Sequence, residues 1–311
     1  MAGMALDRRT LLRAALAGAA GLAGAATAGG TAAQAAAQAA AAAQAETAAQ
    51  AGTAAQATTS AAGAGRPRRR TVFVAGDSTA ATYATADVPR AGWGQALHAF
   101  LRPEIDVVNA ALSGASSKSF ADLGRLDQIL AAIRPGDVLL VSFGHNDEKV
   151  DDPARGTLPW STFQEYLRLY LDGARAAHAH PILVTPVERR RFTADGVAYL
   201  SHGEYPDAVR ALAAETRTPL VDLTALSFAL WGELGPDGTK GYFLHLDAGV
   251  SSNYPAGVAD NTHFQAHGAI ELARAVVGAA RTLPGRDRRA LHSPSIPDDV
   301  LVWPPTRPAE S

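Results

Sequence analysis

From residue 71 onward, short apolar runs alternate with stretches whose apolar residues recur every three or four positions. Val72-Phe73-Val74-Ala75, Ile105-Asp106-Val107-Val108, Val138-Leu139-Leu140-Val141, Ile182-Leu183-Val184 and Leu220-Val221-Asp222-Leu223 read as five buried parallel strands. Between them, Leu123, Leu126, Leu130 and Ile133 mark one apolar helix face, and Phe163, Leu167, Tyr170 and Ala174 mark another. Ile270, Ala273 and Val277 define a last helix. Repeated strand–helix units predict an α/β fold, a three-layer sandwich in which helices cover both faces of a five-stranded parallel sheet. Ligands on such sheets bind beyond the carboxyl ends of the strands, so the loops there are the place to look for chemistry.

Composition divides the 311-residue chain. Residues 1–70 hold 31 alanines, seven arginines and two acids. Asp7-Arg8-Arg9-Thr10-Leu11-Leu12-Arg13 precedes a weakly apolar Ala/Gly run, the order of a twin-arginine export signal; it is assigned to residues 1–35 and predicts a secreted protein. The apolar run is shorter than the roughly 20 residues of a spanning helix, so no stable membrane insertion is expected. Residues 36–70 read as an Ala/Gln-rich linker ending in a basic run, 71–285 as the folded domain, and 286–311 as a proline-rich tail, extended or laid on the domain through Trp303.

Charge and cysteine content narrow the function further. Residues 71–311 carry 21 basic against 28 acidic side chains, net −7 with histidine neutral. An acidic domain with no basic stripe lacks the footprint of a nucleic-acid binder. The absence of cysteine excludes disulfides and Cys-based metal sites. His263 and His267 stand four apart without the intervening Glu of a zinc protease, and neither a Gly-x-Ser-x-Gly elbow nor a dinucleotide fingerprint occurs. No metal or organic cofactor is expected.

The loops after the strands carry Gly76-Asp77-Ser78-Thr79, then Asn109 through Ser113-Gly114-Ala115-Ser116, then Gly144-His145-Asn146-Asp147; Asp260-Asn261-Thr262-His263 precedes the last helix. Ser78 at a strand-to-helix turn is a candidate nucleophile, His263 its base, and Asp260 the group that orients the imidazole. The Ser78 and Gly114 N–H groups and the Asn146 amide are candidate oxyanion donors. In this order the four segments resemble the SGNH, or GDSL-type, hydrolases, over about residues 71–282. Within that group the chain is most similar to the rhamnogalacturonan acetylesterases, through these segments and Gly92-Trp93-Gly94-Gln95, Thr185-Pro186-Val187 and His202-Gly203-Glu204-Tyr205-Pro206. Ala115 stands where an arginine is common in that family.

The resemblance implies a flavodoxin-like sheet and removal of O-acetyl groups from pectic polysaccharide through an acetyl-Ser78 intermediate. Other carbohydrate acetates such as acetyl xylan, and lipid or thioester acyl groups, are the alternative donors, and a carbohydrate-binding module without catalysis is the rival of a different class. A monomer is expected. Candidate substrate-binding residues are Tyr83 and Trp93 for stacking on a sugar, Arg189 and Arg191 for uronate carboxylates, and His145 and His202 as pocket walls. Trp93, between two glycines, can equally be a packing residue, and the arginines can equally pair with local acids. Asp77 and Asp147 are expected to hold loop backbones rather than react.

Overall fold

The computed structural model describes residues 69–283 and 301–305. The export segment, nearly all of the linker and most of the tail lie outside the described residues. Five strands form the parallel sheet: β1 (Arg70–Gly76), β3 (Ile105–Asn109), β4 (Val138–Ser142), β5 (His180–Val184) and β6 (Leu220–Val221). They lie in the order β3-β1-β4-β5-β6, which, counting the parallel strands alone, is the flavodoxin-like order 2-1-3-4-5. Val72 pairs with Val107 on one side and Val138 on the other, which aligns the carboxyl ends of β1, β3 and β4.

Alternation along each strand divides the core into two layers. Val72, Val74, Val138, Leu140, Ile182 and Val184 face one helical layer, whereas Phe73, Ala75, Leu139, Val141 and Leu183 face the other. The first layer holds the short α1 (Trp93–Ala96), α6 (Leu223–Gly238) and α7 (Ala266–Ala280); the second holds α2 (Ser117–Asp122), α3 (Arg125–Ala132), α4 (Gln164–Ala176) and α5 (Tyr205–Thr216). Phe163, Leu167, Tyr170 and Ala174 are all buried, as their spacing predicts.

The helix expected across Leu123–Ile133 is α3 and begins only at Arg125, because the preceding helix α2 stops at Asp122. Gly124, at φ 70°, separates the two, which leaves Leu123 exposed; Leu126, Ile129 and Ile133 form the buried face. The α6 segment is itself broken, at Gly235 (φ 66°) before Pro236.

A second, antiparallel sheet was not visible in the apolar pattern. It consists of β2 (Arg90–Ala91), β8 (Val258–Gln265) and β7 (Phe243–Leu246), in the order β2-β8-β7. Phe243 faces Phe264 but His245 faces Ala259, so five steps along β8 run against two along β7. The extra residues form a bulge containing Asp260–His263. At the other end of the domain's sequence, the described part of the tail lies on this region: the Trp303 indole donates to Arg90 O at 3.0 Å, and Gln95 Nε2 donates to Val302 O at 2.9 Å.

Candidate active site

Ser78 leaves the carboxyl end of β1 in a loop that is fixed on every side. Asp77 Oδ1 accepts from the Thr79 N–H (2.8 Å) and hydroxyl (2.7 Å), and the Tyr83 hydroxyl donates to Ser78 O (2.8 Å). Thr79 O in turn accepts from the Trp93 N–H. The bulge in β8 brings His263 to this loop, with its Nε2 2.9 Å from Ser78 Oγ. Asp260 Oδ2 lies 2.6 Å from His263 Nδ1, and Asp260 Oδ1 accepts the N–H groups of Thr262 (2.7 Å) and His263 (3.0 Å). In a flat strand, residues three apart point to opposite faces; the bulge and these two backbone bonds put Asp260 and His263 side by side. Arg190 braces the bulge, its N–H donating to Asn261 O (2.9 Å) and its Nη1 to Asn261 Oδ1 (3.0 Å).

Burial opposes charge on Asp260, but the bonds from His263 and the two backbone N–H groups outweigh it and hold the carboxyl well below the usual carboxylate range. An ionised Asp260 can only accept, so the imidazole carries its proton on Nδ1 and turns the Nε2 lone pair toward the Ser78 hydroxyl. That is the tautomer a general base needs.

Beside the serine, Gly114 follows Ser113 in the loop after β3, at φ 79°, where a Cβ-bearing residue would be strained. Among the described residues no group accepts the N–H of Ser78 or of Gly114. Asn146 Nδ2 donates to Ala115 O at 2.9 Å, while Lys149 Nζ donates to Asn146 Oδ1 at 2.8 Å. A carbonyl accepts only and an ammonium donates only, so the amide has one orientation and a second Nδ2 proton is left for a ligand. Asp147, behind Asn146, accepts from the Ser117 N–H and hydroxyl and from Thr157 Oγ1. Burial pushes its carboxyl up to about 7 against these donors.

These groups border a cleft of about 320 Å³, lined by Ser78, Arg90, Ser113, Gly114, His145, Asn146, Lys149, Arg189, Asp260, Thr262 and His263. None of the eleven has an aliphatic or aromatic hydrocarbon side chain. A serine hydroxyl, an imidazole poised to take its proton and vacant N–H donors alongside can carry acyl transfer.

The candidate substrate-binding residues separate into those at the cleft and those behind it. His145 lines the cleft, with burial pushing its imidazole down to about 4 although Asp77 stands beside it. Arg189 also lines it, but its Nη1 is paired with Glu148 Oε2 at 3.0 Å. Tyr83 is buried and holds the serine loop rather than facing a sugar. Trp93 is fully buried in the first core layer: a Cβ on Gly92 would stand 2.4 Å from Ala81 O and one on Gly94 2.5 Å from Ala80 O. The two glycines thus let the backbone press close enough to seat the indole in the core. His202 is buried too, its Nε2 2.8 Å from Val187 O and its Nδ1 against Glu148, and Arg191 is exposed outside the cleft. Sequence reasoning missed Arg90, Lys149, Ser113 and Thr262. Lys149 stands one turn from Asn146 and was within reach of a spacing argument; Arg90 arrives on a two-residue strand with no local signal.

Comparison with known proteins shows the family. Residues 74–269 match the family model of GDSL-like lipases/acylhydrolases. The chain is 45% identical over 205 residues to the rhamnogalacturonan acetylesterase RhgT of Bacillus subtilis, spanning 66% of this chain and 87% of that protein. It is 39% identical over 212 residues to YesY, a probable rhamnogalacturonan acetylesterase of the same bacterium, spanning 68% of this chain and 93% of that protein. The crystal structure of the Bacillus subtilis protein YxiM superposes with a TM-score of 0.59 at 32% identity over 68% of this chain; the match spans 56% of that longer chain. The chain belongs to the GDSL-like lipase/acylhydrolase family and is a carboxylic ester hydrolase.

Proposed function

We propose that the protein removes O-acetyl groups from pectic polysaccharide, with rhamnogalacturonan as the substrate. The observation that carries this reading is the lining of the cleft around Ser78: ten of its eleven residues carry a hydrogen-bonding side chain for a sugar, and none carries a hydrocarbon side chain against which a long acyl chain could be buried. The similarity to RhgT and YesY supports the choice of polymer.

In the proposed reaction, Ser78 Oγ attacks the acetyl carbonyl carbon as His263 Nε2 takes its proton. The Ser78 and Gly114 N–H groups and the Asn146 amide receive the oxyanion. Collapse of the tetrahedral intermediate breaks the bond to the sugar oxygen, which leaves with the proton from His263. Water, deprotonated by the same imidazole, then attacks acetyl-Ser78 and releases acetate. Asp260 remains a carboxylate throughout and stabilises the imidazolium.

Acetate release from acetylated rhamnogalacturonan, with acetylated xylan and a series of longer aryl esters beside it, tests the reading. Higher kcat/KM on the pectic polymer and a fall with acyl length are expected; a rise with acyl length, or action on xylan alone, would reject it. The same reading places the enzyme outside the cytoplasm, exported through Arg8-Arg9. Retention inside the cell when both arginines are changed to lysine is the expected result, and unchanged export would reject that route.

A further inference from the structure

Although residues 71–311 are net acidic, three cations line the catalytic cleft, Arg90, Lys149 and Arg189, against one acid, Asp260, whose carboxylate is held by His263. Glu148 matches Arg189. Arg90 and Lys149 have no carboxylate partner among the described residues.

Both are held in place by the catalytic apparatus. Arg90 lies on β2, paired with Gln265, two positions beyond His263 on β8. Its guanidinium stacks on the Tyr83 ring, 4.4 Å from the centroid, and that same ring holds Ser78 O through its hydroxyl. Trp303 fixes the Arg90 carbonyl from the other side. Stacking sets the plane of the guanidinium. Nε is buried without an acceptor, whereas Nη1 and Nη2 have no acceptor among the described residues and are not buried, so they are the donors a ligand would meet. Lys149 is anchored by one bond to Asn146 Oδ1, which leaves two ammonium protons free.

We propose that Arg90, from the triad side, and Lys149, from the oxyanion side, form an anion subsite flanking Ser78. It takes a carboxylate of the saccharide that bears the acetyl group, so the enzyme selects acetylated uronate-containing chains by charge. The planar fork of Arg90 matches a carboxylate edge, and Lys149 adds a point charge. This proposal rests on the saccharide reading given above.

The test uses the full-length protein and two O-acetylated galacturonate oligosaccharides, one with free carboxylates and the other methyl-esterified, with 4-nitrophenyl acetate as a third substrate. The free acid is expected to be preferred about tenfold or more in kcat/KM, with the preference shrinking as ionic strength rises. Arg90→Gln should bring the ratio close to parity, mainly through KM; Arg90→Lys, which keeps charge but loses the fork, should retain part of it. Lys149→Met, at an exposed position, provides a second variant should Arg90→Gln not fold. Equal kcat/KM on the two oligosaccharides by the parent, or an unchanged ratio in the folded variants, would overturn the subsite. Hydrolysis of 4-nitrophenyl acetate with no acetate from either oligosaccharide would instead reject the saccharide reading, and the subsite's ligand with it.

Discussion

Asp260→Asn changes one atom and reverses the demand placed on the imidazole. Asp260 Oδ1 accepts two backbone N–H groups, from Thr262 and His263, so an asparagine would keep its oxygen there and turn its NH₂ toward His263 Nδ1. Facing a donor, Nδ1 must accept, and the imidazole proton moves to Nε2, which lies 2.9 Å from Ser78 Oγ. The ring can then no longer take the serine proton. A wrong tautomer in such a triad lowers kcat on the order of 10⁴, about 5 kcal/mol of transition-state stabilisation. Because the backbone bonds survive, KM and the unfolding midpoint should stay close to the parent's. Initial rates of acetate release over a range of substrate concentrations, with a thermal unfolding control, measure this. A folded variant within about tenfold of the parent in kcat, or one impaired through KM alone, would refute the role assigned to Asp260.

Asn146→Ala should lower kcat on the order of 10²–10³ with little change in KM, checked by the same kinetics; full activity would remove Asn146 from the oxyanion site. Trp93→Ala should destabilise the domain by about 3–5 kcal/mol, read from denaturant unfolding, because it empties a fully buried site. A raised KM at unchanged stability would instead return Trp93 to sugar stacking. His145 is held neutral by burial down to about 4, against an ordinary 6.5, so the unfolded chain binds its proton first as the solution is acidified. Stability should therefore fall between about pH 6.5 and pH 4, by up to about 3 kcal/mol from this group. In His145→Asn the slope of unfolding free energy against pH should flatten over that window, and an unchanged slope would contradict the assignment.

The inner strands β1, β4 and β5 were legible because they are buried on both faces and appear in the sequence as apolar runs, as at Val138–Val141, whereas β3 and β6 at the edges, expected to be buried, are only partly so, with Val108 exposed. The antiparallel sheet was not legible: β2 is two residues long, and β8, Val-Ala-Asp-Asn-Thr-His-Phe-Gln, is largely polar because it carries the site rather than the core. The sequence brought out Ser78, Gly114, Asn146, Asp260 and His263 because each stands in a short local motif, and the structure gathers them around one cleft. It could not separate Trp93 or Tyr83 from sugar-facing aromatics, since burial depends on backbone approaches such as Gly94 against Ala80. Nor could it find Arg90, which reaches the cleft through a pairing between residues far apart in the chain, Arg90 with Gln265.

In the proposed reaction everything turns on passage of the acetyl group through Ser78. Rapid acid quenching during turnover of an activated acetyl ester, followed by intact mass measurement and peptide mapping, tests it most directly, with Ser78→Ala in parallel. A single acetyl group on the peptide containing Ser78 is expected, with neither adduct nor acetate release in the variant. Turnover that persists in Ser78→Ala, or an acetyl group carried on another residue, would contradict it.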